Sequence, residues 1–288
     1  MPTPLPLFAS RALSVRLEAA EVAQILSLAP VHTARLPERE AAVLSRGGGC
    51  AGFFGRGVAI SRAVGLGMSG PVEAEDIDAI EGFYRARSAP ARLLVSPYAH
   101  PSLLERLGKR GFRLLELDTM LVRPIDPREA FAASGAEAAV RVAGPDDAAA
   151  WVQASLEGFS GQGAAPPREA AESFEAVFHA PSAAYFFTER GGGVMGTGAL
   201  DIQRDLQADP QREPRGGSAH FFATSTAAAH RGCGIQGALI DARLAFAQAA
   251  GCDLAFARTE AGSASQRNLE RRGFRPVYSR AFMEKRFD

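Results

Sequence analysis

Residues 220–251 read HFFATSTAAAHRGCGIQGALIDARLAFAQAAG, and the fold of the chain turns on them. Residues 220–226 are apolar, aromatic and Thr-containing, the composition of a strand. Small residues at 227–229 make a turn. Arg231-Gly232-Cys233-Gly234 then heads a helix in which Ile235, Leu239, Ala242, Phe246 and Ala249 recur every three or four positions, and Gly251 stops it. The first turn of a helix leaves backbone N–H groups without intrahelical partners, and the macrodipole adds partial positive charge there. Glycines 232 and 234 let main chain approach an anion where a side chain would intrude, and Arg231 adds a positive charge. The loop is shaped to receive a phosphate.

Two readings of these glycines compete. Residues 232–237 spell GxGxxG, the dinucleotide fingerprint, with Glu260 following a second apolar run as a ribose-binding acid. In the dinucleotide fold, however, the glycines follow the first strand almost directly and several βα units come after. Here five residues, 227–231, intervene, and only one more helix and one or two strands remain. The other reading takes Arg231-x-x-Gly234 as the start of an R-x-x-G-x-G/A diphosphate loop, with Gln236 at the final Gly/Ala position. That loop resembles the GNAT superfamily of N-acetyltransferases, which hold the pyrophosphate of acetyl-CoA in this way. The resemblance tolerates Gln236 if its N–H faces the ligand and its side chain points outward.

The chain has 288 residues, 47% of them apolar, enough for one large or two ordinary domains with a buried core. Its 32 basic and 32 acidic side chains cancel, so nothing in the net charge favours nucleic acid or an anionic membrane as partner. Cys50, Cys233 and Cys252 are too scattered for a disulfide framework or a CxxC metal site, which fits a reducing cytoplasm. His32, His100, His179 and His230 show no ligand spacing, and no metal is expected. The start lacks a basic region ahead of its short apolar segment, and every longer apolar run is interrupted, so a soluble, cytoplasmic protein is expected.

Along the first half the patterning predicts a helix over 11–28 and a second short helical stretch. A glycine-rich mobile turn over 47–57 and a strand over 58–64 follow. Next come a helix over 72–87, a strand over 92–96, a short helix over 102–109 and a long strand to Arg123. The second half repeats that ending: Gly273-Phe274 stands 162 residues after Gly111-Phe112 (273 − 111), and the same offset pairs Arg272 with Arg110, Leu269 with Leu107 and Phe246 with Tyr84. The offset sets Ser69, Gly70, Pro71 and Val72 under Arg231 to Gly234. The first copy has lost the arginine, one glycine and the N–H that proline lacks, and should not hold a diphosphate. Residues 124–127, with two prolines, are the expected linker between a domain of 1–125 and one of 126–288. Beyond it a strand over 139–142, a helix from Pro145, a loop over 160–167, a helix to about His179, a hairpin of 184–189 with 194–202 and a polar stretch over 205–217 are expected. The order resembles the GNAT fold over 139–288 and in part over 1–123. It implies an α/β (α+β) architecture of two tandem units, with a mixed, mostly antiparallel central sheet flanked by helices.

A second signature lies in Gly262-Ser263-x-Ser265-Gln266-Arg267-Asn268-x-x-Arg271-x-Gly273-Phe274, which is similar to the GNAT segment whose helix lines the pantetheine arm. The resemblance implies that Thr224, Ser225 and Thr226 line that arm, that Arg231, Gly232, Cys233, Gly234, Ile235, Gln236, Gly237 and Ala238 wrap the diphosphate, and that Asn268 contacts the arm from the other side. It also implies a tyrosine acid five residues before the GF phenylalanine, but Leu269 stands there. Tyr278, Ser265 or water would replace it. Glu260, past the strand over 253–258, ranks first as general base, ahead of His220 and Asp201. The implied activity is acetyl transfer from acetyl-CoA to an amine of a small molecule or peptide, by a monomer or homodimer. The alternative is a non-catalytic acyl-CoA-binding or regulatory module.

Overall fold

The computed structural model describes residues 8–131, 139–160, 168–191, 193–204 and 216–287. The loop expected over 160–167 and the polar stretch over 205–217 lie almost wholly outside them.

Helix α1 (Arg11–Arg35) starts where the Ser10 side chain accepts a hydrogen bond from the Leu13 N–H and runs past Pro30, longer than the apolar periodicity indicated. Strands β1 (Ala42–Arg46), β2 (Gly49–Phe53) and β3 (Ala63–Val64) follow, then α2 (Ala74–Arg85), β4 (Ala91–Val95), α3 (Pro101–Lys109) and β5 (Arg113–Pro124). The second half runs β6 (Ala139–Val142), α4 (Ala148–Ser160), α5 (Arg168–Phe178), β7 (Ala183–Arg190), β8 (Gly193–Gln203), β9 (Gly217–Thr226), α6 (Ile235–Ala249), β10 (Cys252–Glu260), α7 (Ala264–Arg271) and β11 (Arg275–Lys285).

Two expectations for the first half fail. The glycine-rich turn over 47–57 contains a buried strand, β2, and the strand expected over 58–64 shrinks to the two residues of β3. Glycine is there because neighbours press close. A Cβ at Gly49 would stand 2.2 Å from the Val64 carbonyl oxygen, and one at Gly52 would stand 2.8 Å from Ile25 Cγ2.

The strands form one mixed, mostly antiparallel sheet in the order β1-β2-β3-β4-β11-β5-β10-β9-β8-β7-β6. Among the described strands only β3 with β4 and β9 with β10 run parallel. α2, α3, α6 and α7 cover one face: Leu93 and Val95 pack on α2 and α3, and Leu121, Ala255 and Ala257 pack on α6 and α7. α1, α4 and α5 cover the other, where Met120, Val122 and Phe256 meet Leu13 and Leu17, and Tyr185 and Phe187 meet Trp151.

The 162-residue offset places α2 against α6, β4 against β10, α3 against α7 and β5 against β11. The last strands of the two halves are exchanged. β5 pairs with β10 of the second half, β11 pairs with β4 of the first, and β5 and β11 lie side by side. Their register sets Asp118 opposite Arg280, two positions related by the same offset, so the sheet has a local pseudo-twofold there. Residues 1–125 and 126–288 therefore share the strands that would otherwise close each half. At the junction, the Ile125 N–H donates to the Asp253 carbonyl at 2.9 Å.

Candidate functional site

β9 and β10 pair from Gly217↔Cys252 to Phe221↔Ala257 and then part. β9 stays with β8 as far as Thr226↔Gly196, while β10 stays with β5 as far as Glu260↔Asp118. The V-shaped opening leaves residues 222–226 without a strand partner on the β10 side. A bulge drives the divergence: between Thr197↔Ser225 and Ala199↔Phe222, β8 supplies Gly198 alone where β9 supplies Ala223 and Thr224. Ala223 takes a left-handed φ of 46°. Extra residues of this kind bend a strand and increase its twist.

The open end of β9 leads to the head of α6. Gly232 and Gly234 have φ of 83° and 77°, values glycine adopts without a Cβ penalty, and Gly234 is the N-cap. Among the described residues no side chain caps this helix, and no acid lies in its first turn. Among the described residues no acceptor takes the main-chain N–H groups of Gly234, Ile235, Gln236 or Gly237; the first bonded one is Ala238, to the Gly234 carbonyl at 3.1 Å. Four free N–H groups with the positive end of the macrodipole behind them make an anion site. The Arg272 guanidinium lies against the first turn, so close that a Cβ on Gly237 would stand 2.3 Å from its Nη2.

The side chains of the loop fix its shape. Arg231 donates back to the Gly158 carbonyl (3.3 Å) at the end of α4 and, at 3.5 Å, to the Thr226 carbonyl, so it staples the loop as well as charging it. Cys233 is exposed. Gln236 does not point outward as expected. Its Nε2 donates to Ser265 Oγ (3.0 Å) and its Oε1 accepts from Asn268 Nδ2 (2.6 Å), which clasps α6 to α7 and already engages Asn268. Thr224 Oγ1 accepts from Arg243, Ser225 shares a hydrogen bond with Thr197, and Thr226 carries the carbonyl that Arg231 reaches. Ile235 and Ala238 anchor the turn in the core.

The candidate acid–base groups are spread out. Glu260 is exposed at the tip of β10, beside the parted strands. Tyr278 sits on β11, and the exchanged β5 lies between β11 and β10, so its hydroxyl reaches Glu18 Oε1 (3.4 Å) and not the opening; burial raises its pKa. Leu269 is packed in the core of α6 and α7. His220 is buried, stacked on Phe256 with centroids 4.6 Å apart, and Nδ1 lies 3.1 Å from Gln24 Oε1. Burial pushes its pKa down to about 4, with Glu21 opposing, so the ring is neutral at pH 7. Asp201 is closed off by hydrogen bonds from Ser182 and Gln203, and burial raises its pKa.

Sequence reasoning missed the charges under α1. Arg280, fully buried, meets Glu21 at 2.8 Å and Glu18 at 3.3 Å; Arg62 lies 3.8 Å from Glu21; and Arg258 donates to Asp118 at 2.6 Å. Burial raises Glu18. In Glu21 the Arg280 charge, with help from His220 and Arg62, overcomes burial and brings the pKa to about 2. The signal was a helix whose Glu18 and Glu21 lie next to its apolar stripe, but the arginine that answers them is 262 residues away from Glu18. No group of three or more His, Cys, Asp or Glu among the described residues is placed to hold a metal, and none of the described helices is long and apolar enough to cross a membrane.

A mostly antiparallel sheet parted at one parallel pair, with an uncapped glycine-headed helix behind it, is the GNAT architecture. Residues 149–274 match the model of the acetyltransferase (GNAT) family. Over these residues the chain is similar to the GNAT acetyltransferases. Its fold is similar, with a TM-score of 0.60 and 14% identity over 96% of both chains, to a GCN5-related N-acetyltransferase from Kribbella flavida. It is also similar, with a TM-score of 0.50 and 14% identity over 85% of this chain and 75% of the other, to a GCN5-related N-acetyltransferase from Sphaerobacter thermophilus. None of the curated proteins compared matches the sequence.

Proposed function

We propose that the second half binds acetyl-CoA and transfers its acetyl group to an amine, and that the first half is a degenerate copy that completes the sheet and walls the acceptor side. The observation that carries this is the row of free N–H groups from Gly234 to Gly237 at the mouth of the parted β9 and β10. These amides, with Arg231 and Arg272 beside them, suit a diphosphate. The β10-facing main chain of residues 222–226 offers hydrogen bonds to the pantetheine arm and the thioester carbonyl. α1, from the first half, closes the opposite face through Gln24 and His220.

In the transfer the amine nitrogen bonds to the thioester carbon, the carbon–sulfur bond breaks, and the sulfur leaves with the electron pair. Glu260, at the tip of β10, takes the proton the nitrogen loses, directly or through water. The departing thiolate collects a proton from water, since Leu269 has no hydroxyl and Tyr278 lies two strands from β10. Acetyl-CoA titrated calorimetrically into the protein is expected to bind one site per chain, and Arg231→Glu is expected to weaken it by roughly 30-fold, about 2 kcal/mol. Absence of binding, or an unchanged affinity in the variant, would remove the assignment.

The vacant tyrosine position favours a second reading, an acyl-CoA-binding module without turnover. Thiol release from acetyl-CoA in the presence of a panel of amines separates the two, because only a transferase accelerates it.

A further inference from the structure

Arg243, two turns into α6, is 1% exposed, and no carboxylate among the described residues pairs with it; burial alone brings its pKa down to about 9. A buried cation without a counter-ion is costly, so its hydrogen bonds must hold it. They all go to main chain or hydroxyl: Nε to the Leu239 carbonyl at 2.9 Å, and Nη1 to the Ala199 carbonyl at 3.0 Å and to Thr224 Oγ1 at 2.8 Å. The guanidinium lies over the Phe221 ring, 4.6 Å from its centroid. Gly198 makes the room, since a Cβ there would stand 3.1 Å from Arg243 Cζ.

These contacts surround one feature. Thr224 is one of the two bulge residues of β9, Gly198 is the single residue opposite them, Ala199 follows it on β8, and Phe221 is the last residue of β9 paired with β10. Ala223, inside the bulge, has a left-handed φ that a non-glycine residue keeps only when its surroundings impose it. Arg243 ties both strands together at that point through Nη1, while Nε holds the planar guanidinium to the Leu239 carbonyl of its own helix, an orientation that lysine's single ammonium does not fix.

We propose that Arg243 is a positioning residue: its guanidinium locks the β9 bulge that turns the strand away from β10, and so aims the main chain of residues 224–226 at the acyl end of the donor. This rests on the acetyl-CoA reading of the same opening. Arg243 sits behind β9 on the α6 side and acts through the strand, whereas the N–H groups at 234–237 belong to the head of α6 itself. Binding of the donor and its reactivity are therefore expected to separate.

Three variants test this: Arg243→Met, which removes fork and charge; Arg243→Lys, which keeps the charge; and Gly198→Ala, which leaves the arginine but crowds its seat. Hydrogen–deuterium exchange of residues 222–227 in the ligand-free chain is expected to quicken in all three, least in Arg243→Lys. Calorimetric affinity for acetyl-CoA is expected to change by less than about threefold. Thiol release from acetyl-CoA, with water, spermidine or a tripeptide as acceptor, is expected to fall by about tenfold or more. If the wild type releases no thiol, the aim is read as preference for acetyl-CoA over CoA, which Arg243→Met is expected to lose. Unchanged exchange at 222–227, or affinity and rate falling together with the folded fraction, would overturn the proposal. A wild type that binds no acetyl-CoA would overturn the donor reading and the aiming role that rests on it, while the exchange data still decide whether Arg243 holds the bulge.

Discussion

The heads of α6 and α2 occupy the same place in the two halves and differ in what fills them. Before α6, Gly234 to Gly237 offer four unengaged N–H groups and no acid lies in the first turn. Before α2, the chain has used its own groups. The Gly67 N–H donates to the Gly47 carbonyl and the His100 N–H to the Gly67 carbonyl, each at 2.8 Å, and the Val72 N–H donates to Ser102 Oγ at 2.9 Å. Glu73 and Asp76 form a capping box, with Glu75 beside them. Asp76 takes the Glu73 N–H at 2.9 Å, and the three carboxylates at that helix end repel any phosphate. The strands differ in step: β3 pairs with β4 at a single position, so no long parting strand leads to the first loop. An anion site is thus lost when the anion is built into the chain, and not merely when a glycine is replaced.

The largest expected effect comes from moving one loop into the other. Replacing residues 231–234 by the residues at 69–72, Ser-Gly-Pro-Val, removes the arginine and imports the proline and the β-branched residue while leaving the buried Ile235 in place. Acetyl-CoA affinity is expected to fall by roughly 100-fold or more, about 3 kcal/mol, while helix content by circular dichroism stays the same, because the core positions of α6 from Ile235 onward are unchanged. Retained affinity in a folded graft would show that the N–H groups at 234–237 are not the ligand's partners.

How far the two loops were legible in sequence follows from the range of the interactions involved. The loop at 231–238 was readable because glycine spacing, the arginine and the helical period are all local. So were the offset elements α2 with α6 and α3 with α7. The exchange of β5 and β11 was not readable, since each strand has the same alternation whether it pairs inside its own half or across. Nor was the direction of Gln236, which depends on Ser265 and Asn268 from the next helix. The buried strand β2 was hidden because Gly49 and Gly52 lower strand propensity for a tertiary reason, the close approach of Val64 and Ile25. The burial of Glu18 and Glu21 was hidden for the same reason: Arg280 arrives from 262 residues beyond Glu18.

The dependence of the second half on the first is sharpened by pH. His220 of β9 is held neutral under Gln24 of α1, and its pKa of about 4 lies below the ordinary 6.5. A histidine with a depressed folded-state pKa contributes stability that is complete above 6.5 and is lost as pH falls from 6.5 through 4. Glu21, at about 2, is lost only further down, below its ordinary 4.5. Urea unfolding is expected to show the wild type weaker at pH 5 than at pH 7 by on the order of 2 kcal/mol from this group. His220→Phe, which keeps the ring stacking on Phe256, is expected to flatten that difference. An equally steep decline in the variant would mean that His220 is not neutral and buried beneath α1.

The smallest expected effect is the reverse graft, and it separates glycine content from charge as the cause of the first loop's silence. Ser69→Arg, Pro71→Gly and Val72→Gly together restore the arginine, the N–H and the flexible position to the head of α2. They leave Glu73, Glu75 and Asp76 at the helix start, where a carboxylate already takes the place of a phosphate. The Gly67 main chain also stays tied to Gly47 and His100. The triple variant is therefore expected to bind acetyl-CoA with the wild-type stoichiometry and affinity. A second calorimetric site would mean that loop composition alone decides binding. Only the further change of Glu73 and Asp76 to alanine, which removes two carboxylates from the head of α2, is expected to move the first loop toward the second.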